Sequence, residues 1–272
     1  MRSVKIKEVI DALERFAPLP LQEEYDNAGL QVGLTEAEVS GALLCLDVTE
    51  RVVDEAITKG CNLIVAHHPL IFRKLSQVTD ANYVQRTVIK AIKNDIVIVA
   101  MHTNLDATFG GVNFKIAKKL RLRDVRFFGR EKVVTNPLTD KKVTGGDGVI
   151  GCFDTPLAAD DLILLLKKEF DVECVQANEL LQREIQTVAL CGGSGSFLLQ
   201  DAINAGADAF ITGEMGYHEF FGHEQEIQLC VIGHYQSEQY TTEVLRDVIE
   251  RDCPGVKCCI SEINTNPIVY FS

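Results

Sequence analysis

The sequence predicts an α/β protein in which helices pack on layered sheets. Short apolar runs alternate with segments of helical periodicity along most of the 272 residues. The runs are apolar throughout, which is typical of strands buried on both faces. The same strand–helix–strand rhythm also occurs twice along the chain. Together these observations favour two related α/β halves.

In the first half, each apolar run ends where a polar or glycine residue begins the next segment. The predicted elements are, in order, the strand "GALLCLDV", the helix "ERVVDEAITKG", the strand "NLIVA", the helix "NYVQRTVIKAIKN", the strand "IVIVAM" and the helix "GGVNFKIAKKL", which glycines open.

The second half repeats this order. Its helix "LAADDLILLLKKEF" carries aspartates in the first turn, where the helix dipole favours negative charge. The predicted elements are the strand "GVIGCF", that helix, the strand "QTVALCG", the helix "SFLLQDAINAG", and the strands "DAFIT" and "QLCVIG".

An internal match supports the two halves. The segments that start at Ala42 and Val188 align without a gap over a strand, a helix, a glycine and a second strand. Convergence on a common α/β unit is the alternative. We predict one domain over residues 1–128 and another over 129–272, whose C-terminal part can pack with the first. The polar stretch "RFFGREKVVTNPLTDKKVTGGDG" is either the boundary or a hairpin within one domain.

Charge and hydropathy exclude several classes of function. The net charge of -12 disfavours a general nucleic-acid binder, because an acidic surface repels phosphate. No apolar run approaches the roughly 18 residues that a membrane span needs. The N-terminal segment is amphipathic and carries acidic residues, unlike a signal peptide. We expect a cytoplasmic protein.

Histidines follow three of the predicted strands. His67 and His68 come directly after "NLIVA", His102 follows "IVIVAM", and His234 follows "QLCVIG". Acidic residues lie four positions after the last two, at Asp106 and Glu238. Ligands of open α/β sheets bind outside the carboxyl ends of the strands. The pattern therefore predicts a metal site, whereas a single histidine there would be an ordinary packed residue.

Adjacent histidines on a regular strand point to opposite sides, so His67 and His68 can both be ligands only if the chain turns there. Pro69 makes such a turn expected. Two neighbouring histidines can then serve two metals. Imidazole and carboxylate donors suit Zn, Mn, Fe or Ni.

Two further segments are candidates for function. "CGGSGS" begins at Cys191, between a strand and a helix, and is either a phosphate cradle or a tight structural turn. Glu214 and His218 follow another strand, four residues apart, and are either a general acid/base pair or residues of a helix start. We name them as candidate catalytic residues.

Six ordered motifs resemble those of the YbgI/NIF-three-like family, which is also called the GTP cyclohydrolase I type 2 homologue family. They are "DNAGLQVG", "AHHPLIF", "HTNLDATFGGVN", "CGGSGSFL", "ADAFITGE" and "GHYQSE". The resemblance covers nearly the whole chain. It implies a fold of two related α/β parts and a dinuclear metal site. The ligands that it implies are His67, His68, Asp106, His234 and Glu238.

The resemblance also implies a ring-shaped homohexamer with two divalent ions in each subunit. The predicted function is a metal-dependent hydrolase that uses metal-activated water on a small molecule. The alternative is a non-catalytic metal-binding scaffold, metallochaperone or regulatory protein. Open coordination positions favour catalysis, because structural sites are normally closed by protein ligands.

Overall fold

The computed structural model describes residues 3–271. The nine α-helices within this range are α1 (Ile6–Phe16), α2 (Glu50–Lys59), α3 (Tyr83–Lys93), α4 (Thr103–Ala107), α5 (Val112–Lys119), α6 (Ala159–Phe170), α7 (Leu199–Asn204), α8 (His234–Glu238) and α9 (Thr241–Asp252). The strands in the same range are β1 (Gly29–Val32), β2 (Ala42–Cys45), β3 (Leu63–Ala66), β4 (Val97–Ala100), β5 (Arg123–Thr135), β6 (Lys142–Leu157), β7 (Gln176–Ala177), β8 (Ile185–Cys191), β9 (Ala209–Thr212), β10 (Gln228–Val231) and β11 (Cys258–Ile260).

The chain divides into two compact units. The first unit comprises the described residues up to Thr108 together with Val134–Val143 and Thr241–Ile268. The second comprises Phe109–Val133, Thr144–Tyr240 and the described residues from Val269 onward. The predicted boundary between residues 128 and 129 falls inside β5. The polar stretch contains parts of β5 and β6, which are neighbouring strands joined through residues 136–141.

The sheet of the first unit has the strand order β1-β4-β3-β2-β11. Strands β2, β3, β4 and β11 run parallel, and β1 pairs with β4 in the antiparallel sense. Every residue of β2, β3 and β4 is buried. This is the burial on both faces that their continuous apolar sequence predicts, and each buried Leu, Ile or Val contributes about 1.5–3 kcal/mol.

The sheet of the second unit has the order β5-β6-β8-β9-β10-β7. Its central strands β8, β9 and β10 are parallel, with antiparallel strands β6 and β7 against them. Residues of β9 and β10 are again all buried. In both units the parallel strands therefore end at one common edge of their sheet.

The internal match is present in the structure as a shared strand register. Ala42 pairs with Leu63, and Val188 pairs with Ala209, so the partner lies twenty-one residues further along in both units. Gly60 and Gly206 follow the intervening helices α2 and α7 with φ of 69° and 73°. Both glycines lie in the left-handed region, which is a common conformation for a glycine just after a helix end. The predicted α/β fold of two related halves is confirmed.

Within residues 3–271, none of the helices combines the length and the apolar character that crossing a membrane would require.

Candidate metal centre

His67 lies immediately after β3, where the chain bends. The consecutive amides of His67 and His68 donate to the carbonyls of Cys45 and Leu46, at 3.1 and 2.9 Å. In a regular strand successive amides point to opposite sides. Two consecutive amides that bond to the same neighbouring segment show that the regular strand geometry stops here. The bend that the sequence predicts near Pro69 is present, and it turns both histidine side chains into the same region.

The imidazole of His67 is completely buried and held at one nitrogen. Nδ1 donates to the carbonyl oxygen of Met101 at 2.8 Å. Because a carbonyl can only accept, this bond puts the proton on Nδ1 and the lone pair on Nε2. Nε2 lies 3.7 Å from Oδ1 of Asp106. Two ligands that are each about 2.0–2.2 Å from one ion can be separated by such a distance.

His68 is held by a carboxylate. Its Nδ1 donates to Oδ1 of Asp47 at 2.8 Å, and Oδ2 of Asp47 accepts the hydroxyl of Thr265 at 2.6 Å. Burial alone would raise the pKa of Asp47, but the bonds from His68 and Thr265 outweigh it and lower that pKa. Asp47 is thus an anionic acceptor at neutral pH. Ligating histidines usually have such a partner at the second ring nitrogen.

His102 joins these two rings. Its ring centroid lies 5.3 Å from that of His67 and 5.4 Å from that of His68, and the His67 and His68 centroids are 4.9 Å apart. One ring nitrogen from each of the three histidines lies within 4.8 Å of the others. The ligand set implied by the resemblance does not include His102.

Asp26 holds His102 as Asp47 holds His68. Nδ1 of His102 donates to Oδ1 of Asp26 at 2.7 Å, and the backbone amide and hydroxyl of Thr103 donate to Oδ2. The side chain of Asp26 has no exposed surface. Burial would raise the pKa of Asp26, but the bonds from His102 and Thr103 lower it to about 2. Each of the three clustered histidines therefore has Nδ1 engaged by an oxygen acceptor.

In the second unit, α8 carries His234 and Glu238 on one face, as their spacing predicts. Nε2 of His234 lies 3.1 Å from Oε2 of Glu238, and Nδ1 lies 3.1 Å from Oε1 of Glu214. The Glu238 side chain is only 5% exposed. A carboxylate so buried is costly unless it is paired or binds a cation, so this pair suits a metal ligand set.

In the loop "CGGSGS", three backbone amides are bonded within the protein, as expected for the tight structural turn. Gly192, Gly193 and Gly195 donate to side-chain oxygens of Asn113, Ser237 and Thr212, at 2.9, 3.0 and 3.0 Å. Amides that are committed to side chains do not cradle a phosphate. Gly193 packs directly on α8, where a Cβ atom would collide with the Glu238 carboxylate.

The structure places the two candidate catalytic residues in different surroundings. Glu214 lies against His234. His218 lies on the short 3₁₀-helix Tyr217–Phe220, with its ring stacked on Phe221 and edge-on to Tyr217. Their action as an acid/base pair stays a prediction.

Sequence reasoning missed Asp47, Asp26 and Thr265. Asp47 lies just beyond β2 at the carboxyl edge of the sheet. The strand-end pattern that selects the histidines could therefore have found this residue as well. Asp26 precedes β1 in a loop, and Thr265 lies in the segment after β11. No period or spacing connects either residue to a histidine, so only the folded chain shows their roles.

The fold and these side chains define a class: α/β proteins of two related units with histidine and carboxylate groups that can bind a metal ion. The chain belongs to the Duf34/NIF3 (NGG1p interacting factor 3) family, which it matches over residues 4–267.

Individual relatives agree with this membership. The chain is 32% identical over 251 residues to a GTP cyclohydrolase 1 type 2 homolog of Clostridium acetobutylicum, which covers 91% of this chain and 90% of that protein. It is 30% identical over 281 residues to NIF3-like protein 1 of Drosophila melanogaster, with coverage of 97% and 89%. A solved structure of a hypothetical protein from Staphylococcus aureus matches with a TM-score of 0.88 at 28% identity, over 99% of this chain and 100% of that one.

Proposed function

We propose that the chain holds two divalent metal ions and is a metal-dependent hydrolase. The proposed ligands are His67, His68, Asp106, His234 and Glu238. The observation that carries the proposal is that, within each unit, the imidazole rings are held by hydrogen bonds or lie beside a carboxylate that could bind the same ion. His67 and His68 have Nδ1 bound to an acceptor, with Asp106 beside His67, and His234 has Glu238 beside it.

The donor chemistry fits a divalent ion of the Zn, Mn, Fe or Ni type. When bound, such ions would lower the pKa of a water molecule and polarise a substrate oxygen. The protein's part is to hold the donors. Met101 and Asp47 fix the rings of His67 and His68, and the carboxylates of Asp106 and Glu238 supply negative charge.

Proton movement is assigned to Glu214 or His218. Glu214 has the stronger geometric support, because its carboxylate lies 3.1 Å from Nδ1 of His234 while its side chain is 52% exposed. A group that contacts a ligand and also meets solvent can exchange a proton with a substrate.

The reaction class is hydrolysis, and the substrate is a small molecule. Several relatives are named for GTP cyclohydrolase, which favours nucleotides as the first substrates to test. Phosphoesters and cyclic amides are two further substrate classes to test, because metal-activated water can attack each of them. Turnover of these three classes by the metal-loaded protein tests the proposal, with Glu238→Gln as the matched variant. Turnover that is lost in the variant supports a hydrolase.

A second candidate is a non-catalytic metal-binding scaffold, metallochaperone or regulatory protein. The description of the family as an interacting factor favours it. The same screen separates the two candidates: a protein that binds metal through these ligands but turns over none of the three substrate classes is a binding protein.

A further inference from the structure

We propose that His102 is an additional ligand of the metal centre, and that it has the place in the first unit that His234 has in the second. This inference rests on the proposed metal-binding function and adds a residue that the ligand set above lacks.

The internal repeat relates the strands that precede His102 and His234. Strand β4 follows β3 as β10 follows β9: Leu63 pairs with Val97, and Ala209 pairs with Gln228, in parallel. These are the equivalent positions of the two units, since Leu63 and Ala209 occupy the same register of the repeat.

The histidines after these strands correspond to within one position: His102 lies five residues after Val97, and His234 lies six after Gln228. His102 precedes the five-residue helix α4, and His234 begins the five-residue helix α8. Each histidine lies four residues before a carboxylate, Asp106 or Glu238. Three of these four side chains are already in the proposed ligand set, and His102 is the one that the repeat adds.

Local contacts support the same role. Nδ1 of His102 lies 2.7 Å from the Asp26 carboxylate, and Nδ1 of His234 lies 3.1 Å from the Glu214 carboxylate. The backbone amide of His102 donates to Oδ1 of Asn104 at 2.9 Å, which fixes the start of α4. Since Asp26 can only accept, Nδ1 carries the proton and Nε2 is the nitrogen that can coordinate a metal.

The competing explanation is that His102 and Asp26 form a structural pair that only stabilises the loop before β1. The clustering of three imidazoles argues against it. A structural pair needs no further histidines, yet a ring nitrogen of His102 lies within 4.8 Å of nitrogens of both His67 and His68. His223 offers a comparison, because its Nδ1 lies 2.9 Å from Glu226 and it belongs to none of the candidate metal groups among the described residues.

The test uses the full chain, freed of metal by a chelator and titrated with Co²⁺. His102→Ala, His67→Ala and the matched control His223→Ala are compared by Co²⁺ affinity, by the visible d–d spectrum of bound Co²⁺ and by the melting temperature of the metal-free protein. We expect His102→Ala to weaken Co²⁺ binding by at least about tenfold and to change the spectrum, because one imidazole is lost from the metal. His223→Ala should change neither.

If His102→Ala melts at a lower temperature but binds Co²⁺ with wild-type affinity and spectrum, the pair is structural and the inference is overturned. If His67→Ala also binds Co²⁺ normally, the proposed function fails as well, so the two failures are distinguishable. Should His102→Ala not fold, His102→Gln keeps the bulk of the side chain, and wild-type Co²⁺ affinity in that variant overturns the inference. Asp26→Asn keeps an acceptor for Nδ1, so its loss of affinity should be smaller than that of His102→Ala.

Discussion

At the scale of single residues, the hydrogen bonds at Nδ1 define what the histidines can do. Met101, Asp47 and Asp26 each accept from one ring of the cluster, by a carbonyl in the first case and a carboxylate in the other two. Each bond selects a tautomer and restrains the ring, so that Nε2 is presented to a metal with little reorganisation. Of these acceptors only Asp47 has a sequence signal, because it follows β2 at a strand end; Met101 acts through its backbone carbonyl, and Asp26 is 76 residues from His102.

Glu238→Gln should reduce the stabilisation that metal gives the folded protein. Gln keeps the shape of the side chain but replaces a carboxylate with a neutral oxygen, which is a weaker partner for a divalent ion. A metal that binds only the folded state raises the melting temperature by mass action. Melting curves with chelator and with added Mn²⁺ or Zn²⁺ measure the effect, and the exposed Glu250 on α9 provides the control Glu250→Gln. Equal metal-induced shifts in all three proteins would remove Glu238 from the ligand set.

Gly193→Ala should weaken metal binding through Glu238. Gly193 has φ of 60°, and a Cβ atom there would collide with the Glu238 carboxylate. Gly206→Ala is the matched control, because Gly206 has φ of 73° but open space around it. Both variants should lose about 1–2 kcal/mol from the left-handed backbone conformation. Only Gly193→Ala should also lose metal affinity in a competition titration, and equal affinity of the two variants would contradict the account.

At the scale of elements, every strand and helix predicted from an apolar run or a helical period is present. The predictions succeed because β2, β3, β4, β9 and β10 are buried on both faces, which leaves an unbroken apolar sequence. The antiparallel strands β1 and β7 are not predicted, since their residues are only partly buried. Their sequences carry no comparable signal.

Asp208, which precedes β9, gives a prediction for stability against pH. Its carboxylate accepts the amides of Gln186 and Thr187 and pairs with Arg183. Burial would raise the pKa of Asp208, but these partners outweigh it and hold that pKa below its ordinary value. A lowered folded-state pKa means that the carboxylate stabilises the fold above about pH 4, the unfolded value, and that this stability is lost as pH falls through the folded value.

Asp208→Asn should therefore reduce the free energy of unfolding by about 1–3 kcal/mol at pH 7, and the difference from wild type should shrink as the pH falls below 4. Urea unfolding at several pH values measures it. Asp247→Asn, at an exposed position on α9, serves as the control and should be nearly silent. A difference for Asp208→Asn that stays constant down to pH 2 would show that the charge of this carboxylate does not stabilise the fold.

At the scale of the whole chain, each of the two units is assembled from separate stretches of sequence. The hairpin tip Val134–Val143 and the segment Thr241–Ile268 both group with the first unit. Asn136 in the tip donates to the carbonyls of Glu14 and Arg15 at the end of α1, at 3.3 and 3.1 Å. The domain prediction allows the C-terminal part to pack with the first domain but does not include the hairpin tip, whose contacts with α1 are long-range in sequence.

We propose that the protein is a ring-shaped homohexamer, as the family resemblance implies. Light scattering should then give a mass near six times the subunit mass of 30.1 kDa at working concentration. The mass of a second sample, from which a chelator has removed the metal, shows whether assembly depends on the ions. A mass of 30.1 kDa in both samples would refute the oligomer.

We propose that two divalent ions are held by His67, His68, Asp106, His234 and Glu238, and the metal content of purified protein tests this assignment. Elemental analysis of wild type, His67→Ala and His234→Ala, with circular dichroism to verify the fold, makes the comparison. We predict two ions per subunit in wild type and fewer in both variants at unchanged helix content, because these ligands lie at strand ends where their loss leaves the sheets intact. Metal content equal to wild type in both folded variants would contradict the assignment.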